Sequence, residues 1–185
     1  MTWDRALLTA AVTVGLWLLT RWFELIAAWY RKREEQKNLI RALYAEIDFN
    51  TRDLEFFLEV SADIDVIRRH MDENPDSLPH ITDAHHTIIY TTNTNRLHHL
   101  SNSLTARIVL FYGLLDKIKA QIDGVNLPSF SKISVEGKVI TITRIQSNVG
   151  ECRDAGLQII GEFEETYPRL KLARHARRLV ETKQE

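Results

Sequence analysis

From Thr2 to Arg31 most of the polar side chains of an otherwise apolar segment recur at spacings that a helix brings onto one narrow stripe: Thr2, Thr9, Thr13, Thr20, Glu24 and Arg31. Leu8, Leu18, Leu19, Trp22, Leu25, Ile26 and Trp29 cover the rest of the circumference. Hydrocarbon tails give no reason to align hydroxyls and a carboxylate, so the stripe is expected to face protein or water.

The length of this segment predicts a membrane span. Its 25 residues from Ala6 to Tyr30 contain no Pro, one Gly and two charges, Arg21 and Glu24. As a helix they rise roughly 37 Å against a hydrocarbon core of about 30 Å, which leaves room for tilt. Trp3 at one end and Trp29 and Tyr30 at the other stand where interfacial rings prefer to sit. Arg31, Lys32, Arg33, Lys37 and Arg41 follow at once, while the other end offers only Asp4 and Arg5. The positive-inside rule then places the N-terminus outside the inner (plasma) membrane and everything after Tyr30 in the cytoplasm. A cleaved signal peptide wants a basic start and small residues at the cut; here Asp4 precedes the apolar run and Trp29 closes it.

The remainder is long enough for one modest domain with a single core. A lone Cys152 excludes an internal disulfide framework and fits a reducing compartment. The net charge of -1 gives no global pull toward nucleic acid, so any anion site must be local.

Between Tyr30 and about Met71 there is neither Gly nor Pro, which predicts one unbroken helix. Ile40, Leu43, Ile47, Leu54, Phe57 and Ile64 keep alternating three-and-four spacing, with Asn50 and Ser61 where the register wants further apolar residues. That is a heptad seam, and Asn50 either fixes its register or caps a neighbouring loop. Glu73 to Asp83, with Pro75 and Pro79, reads as a turn; Thr82 or Asp83 then caps a short helix through Leu100, weakened by Thr91 to Asn95. Leu104, Ile108, Phe111, Leu115, Ile118 and Ile122 make one helical face over 103–123, with Gly124 as its stop. The run Val139 to Thr143 is β-branched, yet Val135, Val139, Ile142, Val149, Cys152, Ile159 and Phe163 hold a helical period across the whole segment, and a helix is expected. Pro168 ends it. The expected architecture is all-α: residues 1–33 form the transmembrane helix with its basic flank, 34–168 a cytoplasmic bundle of about four helices, and 169–185 a basic amphipathic tail.

Catalytic motifs are missing. The glycines stand singly, so there is no phosphate-binding loop, and neither a GxSxG turn nor an HExxH helix occurs. The pairs His85–His86 and His98–His99 invite a metal reading, but helical neighbours diverge by about 100° and each pair would offer one ligand to a site. No enzyme activity, cofactor or metal is expected, and Cys152 reads as a small buried hydrophobe. The tail is the better candidate for a binding site. Arg169, Lys171, Arg174, Arg177 and Arg178 have no acid among them, and Leu172, Ala173, Ala176, Leu179 and Val180 form an opposing face. Such a segment could hold phosphate groups, lie on anionic lipid, or be a solvated basic face. Arg96, His98, His99 and Arg107 make a weaker basic cluster.

Two resemblances bear on function. His86-Thr-Ile-Ile-Tyr-Thr-Thr-Asn to Leu97, followed by Leu104 through Phe111-Tyr112, resembles a pattern of uncharacterised bacterial single-span membrane proteins and implies no activity. The overall plan, one polar-striped span on an all-α body, also resembles channel-forming membrane effectors of bacterial antiphage signalling, such as those of the Hailong type. That likeness transfers no individual residue. Two readings follow. In one, several copies pack into a homo-oligomeric pore lined by Thr9, Thr13, Thr20 and Glu24, with Leu16 as an apolar constriction, Arg21 pairing with Glu24, and a nucleotide or oligonucleotide at the tail arginines as the opening signal. In the other, the threonines bond back to their own helix, Arg21 and Glu24 pair within it, and the chain is a membrane-tethered adaptor whose bundle binds a partner protein.

Overall fold

Helix periodicity organises the whole chain. The computed structural model describes residues 2–77, 79, 81 and 85–172, with side chains in the first helix described from Val14 onward. Among them are five α-helices and no strand: α1 Thr2–Val60, α2 Ile64–Glu73, α3 Ile88–Thr92, α4 Asn102–Val125 and α5 Val135–Thr166. Short 3-10 turns cover Thr94–His99, Pro128–Lys132 and Pro168–Leu170. The chain divides into two units, Met1–Ile40 and Arg41–Glu185.

In the second unit α4 and α5 pack along each other and α2 lies on α5. Serines start both long helices: the Ser101 hydroxyl accepts from the Leu104 amide (3.2 Å) and that of Ser134 from Gly137 (3.3 Å), filling part of the unpaired first turn. The β-branched run Val139 to Thr143 is helical, because Val139 and Ile142 are needed on one face with Ile145, Val149 and Cys152. The core gathers Leu43, Ile47 and Leu54 of α1, Leu104, Ile108, Phe111 and Leu115 of α4, and Val149, Ile159 and Phe163 of α5.

Three expectations need correction. The helix from Tyr30 does not reach Met71: α1 ends at Val60, and Asp63 caps α2 with its carboxylate on the Asp65 amide (2.8 Å). The break lets Ile64, Ile67 and Met71 leave the α1 seam and pack on Val135, Val139 and Ile142 of α5. The short helix expected up to Leu100 shrinks to α3 plus a 3-10 turn, as the poor helix formers Thr91 to Asn95 foretell; its expected caps, Thr82 and Asp83, lie outside the described residues. Finally, Gly124 does not stop α4. The fully buried Val125 carries the helix one residue further, and Asn126 closes it with its amide on the Ile122 carbonyl (3.1 Å).

Two polar contacts hold α2 in place. Arg68 forms a forked pair with Glu136 of α5 (2.5 and 3.5 Å), which holds the Glu136 carboxyl below its usual range and raises the guanidinium of Arg68. Lys138, wholly buried near the start of α5, donates its ammonium to the Pro75 carbonyl and so pins the turn that follows α2.

Candidate functional site

In the first unit, ten large apolar side chains between Val14 and Tyr30 are more than half exposed, among them Leu16, Trp17, Trp22, Phe23, Leu25 and Tyr30. They lie all round the helix. Removing such a side chain from water is worth about 1.5–3 kcal/mol, so even half of that for each sums to on the order of 10 kcal/mol, comparable to the stability of a whole domain. A surface of this kind is covered in the working protein, by lipid or by protein. Among the described residues no helix is long and apolar enough to cross a membrane. The apolar run from Ala6 to Thr13, on which the expected span depends for its first turns, precedes the described side chains.

Two described members of the polar stripe, Thr20 and Glu24, find partners within their own helix. Thr20 Oγ1 donates to the Leu16 carbonyl (2.9 Å), and Arg21 Nη1 meets Glu24 Oε2 at 2.9 Å, both side chains being exposed. Thr9 and Thr13 have side chains outside the described set, so their part in a pore lining lies there too. At the basic flank the Arg33 guanidinium sits 4.2 Å from the centre of the Trp29 ring, and Lys37 pairs with Glu34 at 3.0 Å. Of the tail cations, Arg169 lies within the turn Pro168–Leu170, and Lys171, in a left-handed conformation (φ 52°), closes it with its amide on the Pro168 carbonyl (3.3 Å); Arg174, Arg177 and Arg178 lie outside the described residues.

The second unit holds a polar clamp with no counterpart in the sequence motifs. The buried Glu46 of α1 accepts three hydrogen bonds: Oε1 from the Tyr112 hydroxyl (2.6 Å) and the Tyr90 amide (2.9 Å), Oε2 from the Ile89 amide (2.6 Å). One turn on, Asn50 reads the His86 backbone from both sides, donating to its carbonyl (2.6 Å) and accepting from its amide (2.8 Å). Of its two readings, Asn50 therefore takes the loop cap. Tyr90 and Tyr112 stack at 3.9 Å with planes 7° apart, and Phe49 meets His86 edge-on at 4.4 Å. Burial and the Glu46 carboxylate push the Tyr112 hydroxyl far above the usual tyrosine range; Tyr44, burying its ring and donating to Glu164 (2.8 Å), is raised likewise. Both keep their protons and donate them to these glutamates.

Beside the clamp lies a cavity of about 320 Å³ lined by Leu54, Phe57, Leu115, Ile118, Ile122 and Val149, with the exposed Phe56 and Val60 at its edge and Asn50, Asp53 and His85 on its polar side. Burial raises the Asp53 carboxyl, against the pull of His86 and Arg52. An apolar chamber with one carboxylate suits binding of an apolar group that carries a hydrogen-bond donor. His98 and His99 lie in the 3-10 turn with ring centres 3.9 Å apart, His98 Nδ1 being 2.7 Å from the Asn95 carbonyl oxygen. Cys152 is fully buried against the Phe111 carbonyl, and burial, helped by Glu151, pushes its thiol up to about 12. At neutral pH it is unreactive.

The chain matches no protein-family model, no curated protein and no solved structure.

Proposed function

We propose that the chain is a membrane-tethered helical module whose spans associate into a homo-oligomeric pore, with the cytoplasmic bundle controlling its opening. The observation that carries this reading is the uncovered apolar circumference of 14–30 together with Leu16, Thr20 and Glu24 on one stripe. Lipid would cover most of the circumference, and neighbouring copies would bring the stripe to a common axis. Arg33 on Trp29 is the pairing expected at an interface, where the ring lies in the headgroups and the cation faces water. Leu16 is then the apolar constriction, and Thr9, Thr13, Thr20 and Glu24 supply polar rings. A pore needs a scarce opening signal. An anionic nucleotide or short oligonucleotide at Arg169, Arg174, Arg177 and Arg178 fits that need, in keeping with the antiphage effectors whose plan the chain resembles.

A specific observation favours a second reading, the tethered adaptor. Thr20 bonds to Leu16 and Arg21 to Glu24 without any neighbour, so these two described members of the stripe need no second copy to satisfy them.

Particle size in detergent separates the two, since a monomer cannot build this pore. In proteoliposomes Leu16→Ser is expected to raise ion leak at least tenfold, while Leu18→Ser weakens insertion and leaves leak unchanged. Equal, mild effects at both positions, or a monomeric particle, select the adaptor. The tether has its own check: a reporter fused after Glu185 should be cytoplasmic, and a signal from the opposite side of the membrane overturns the orientation drawn from Arg31, Lys32 and Arg33.

A further inference from the structure

In the second unit α1 presents an apolar stripe that the described elements leave largely open: Phe56 and Val60 are 64% and 62% exposed, and Phe49, edge-on to His86, is 46% exposed. They are spaced seven and four apart and so share one side of the helix. Along its border run Glu55 and Glu59, in the same i,i+4 row as Thr51, and among the described residues no hydrogen bond or ion pair engages either. Asp48 differs, being paired with Arg52. Acids alone on a helix are a solvated face. Two exposed phenylalanines beside them are not, because their rings leave water only when something docks.

The chain itself contains the complementary segment. After Leu172 come Ala173, Ala176, Leu179 and Val180, interleaved with Arg174, Arg177 and Arg178 and with no acid before Glu181. Its point of departure is favourable. The Phe163 ring near the end of α5 meets Tyr44 of α1 at 6.2 Å and Tyr167 at 6.1 Å, so the chain leaves α5 beside Tyr44. From Tyr44 to Glu59 α1 rises about 22 Å. The eight residues from Ala173 to Val180 span about 26 Å if extended, enough to cover that rise, and only about 12 Å as a helix, so they reach Glu55 and Glu59 in extended form. The Thr51 row also borders α5: a Cβ at Gly156 of α5 would run into the Thr51 hydroxyl.

We propose that residues 173–180 dock in cis on this face of α1, apolar side chains on Phe56 and Phe49 and arginines against Glu55 and Glu59. The contact needs neither the membrane nor a pore. It gives the arginines a resting partner, and an anionic ligand or lipid surface would have to compete with two carboxylates for them.

The test replaces Phe56 with p-benzoylphenylalanine in the full chain in detergent, using a mixture of heavy- and light-isotope chains; the position is exposed, so the core is untouched. Irradiation should cross-link peptide 56 to the segment 172–185 within one chain. Glu55→Lys with Glu59→Lys should lower the yield at least fivefold, and adding Arg174→Glu with Arg178→Glu should restore it. Heavy-to-light products would assign the face to a second copy, and detergent or lipid adducts would assign it to the membrane surface. Either result, or a tail cross-link indifferent to charge reversal, overturns the proposal.

Discussion

Replacing Glu46 by alanine is expected to destabilise the second unit by about 3–5 kcal/mol: three donors lose a charged acceptor at once, each pairing being worth about 1.5–3 kcal/mol, and part of that sum is offset because a carboxylate no longer has to be desolvated. The Tyr112 hydroxyl and the Ile89 and Tyr90 amides have no alternative partner in the contacts they make. For a domain of this size the loss corresponds to a fall in Tm of on the order of 10–20 °C. Tyr112→Phe leaves both amide bonds in place and should cost about 1–2 kcal/mol. The local readout is amide exchange at Ile89 and Tyr90, which should accelerate in Glu46→Ala and remain slow in Tyr112→Phe. A loss below about 1 kcal/mol for Glu46→Ala, the typical worth of one neutral bond, would mean that water replaces the carboxylate and the clamp is dispensable.

The same clamp predicts an alkaline limit. An unfolded tyrosine ionises near pH 10, whereas folded Tyr112 and Tyr44 hold their protons to well above that. Above about pH 10 the unfolded chain therefore binds fewer protons than the folded one, and stability falls as pH rises. Tyr112→Phe should be less stable at pH 7 and lose less between pH 9 and 11.

What the sequence made legible follows from how far apart the partners lie. In α4 and α5 every core residue repeats on a helical period, and the pattern outweighs the β-branched run Val139 to Thr143 because the buried positions keep it over about seven turns, from Val139 to Phe163. Cys152 was readable for the same reason. The break at Ser61–Asp63 was hidden because Ile64 continues the α1 spacing; the available signal was local, an Asp followed directly by an apolar period, which is a capping pattern. Glu46 left no trace of that kind. It sits one residue before Ile47 on a helix that also bears exposed acids, and its partners are backbone amides 43 and 44 residues away, chemistry every residue but proline offers. Lys138 is similar: a lysine near a helix start reads as exposed, and only the arrival of the Pro75 carbonyl makes its burial tolerable. Asn50 was the intermediate case, since a polar residue in an apolar seam must have a reason, but the seam alone left loop and register equally open.

Glycine at 156 leads to the second large effect. In most helices Gly→Ala gains up to about 1 kcal/mol from backbone propensity. Here a Cβ would stand 2.9 Å from Phe111 Cε2 and closer still to the Thr51 hydroxyl. Neither neighbour can yield: Phe111 is fully buried between α4 and α5, and Thr51 is held by its bond to the Ile47 carbonyl at 2.7 Å. Overpacking of a dense core costs about 1–3 kcal/mol, so Gly156→Ala should be net destabilising by about 1–2 kcal/mol despite the better propensity. The control lies six residues earlier in the same helix. A Cβ at Gly150 meets nothing within 4 Å, and Gly150→Ala should stabilise by up to about 1 kcal/mol. Thr51→Ala opens the space that the new methyl needs, so the double variant with Gly156→Ala should be more stable than the two single losses predict, with a coupling of about 1 kcal/mol or more. Additive losses in that cycle, measured by denaturant unfolding, would show that α5 shifts away from α1 instead of pressing on Thr51, and that the close approach of the two helices is not what position 156 requires.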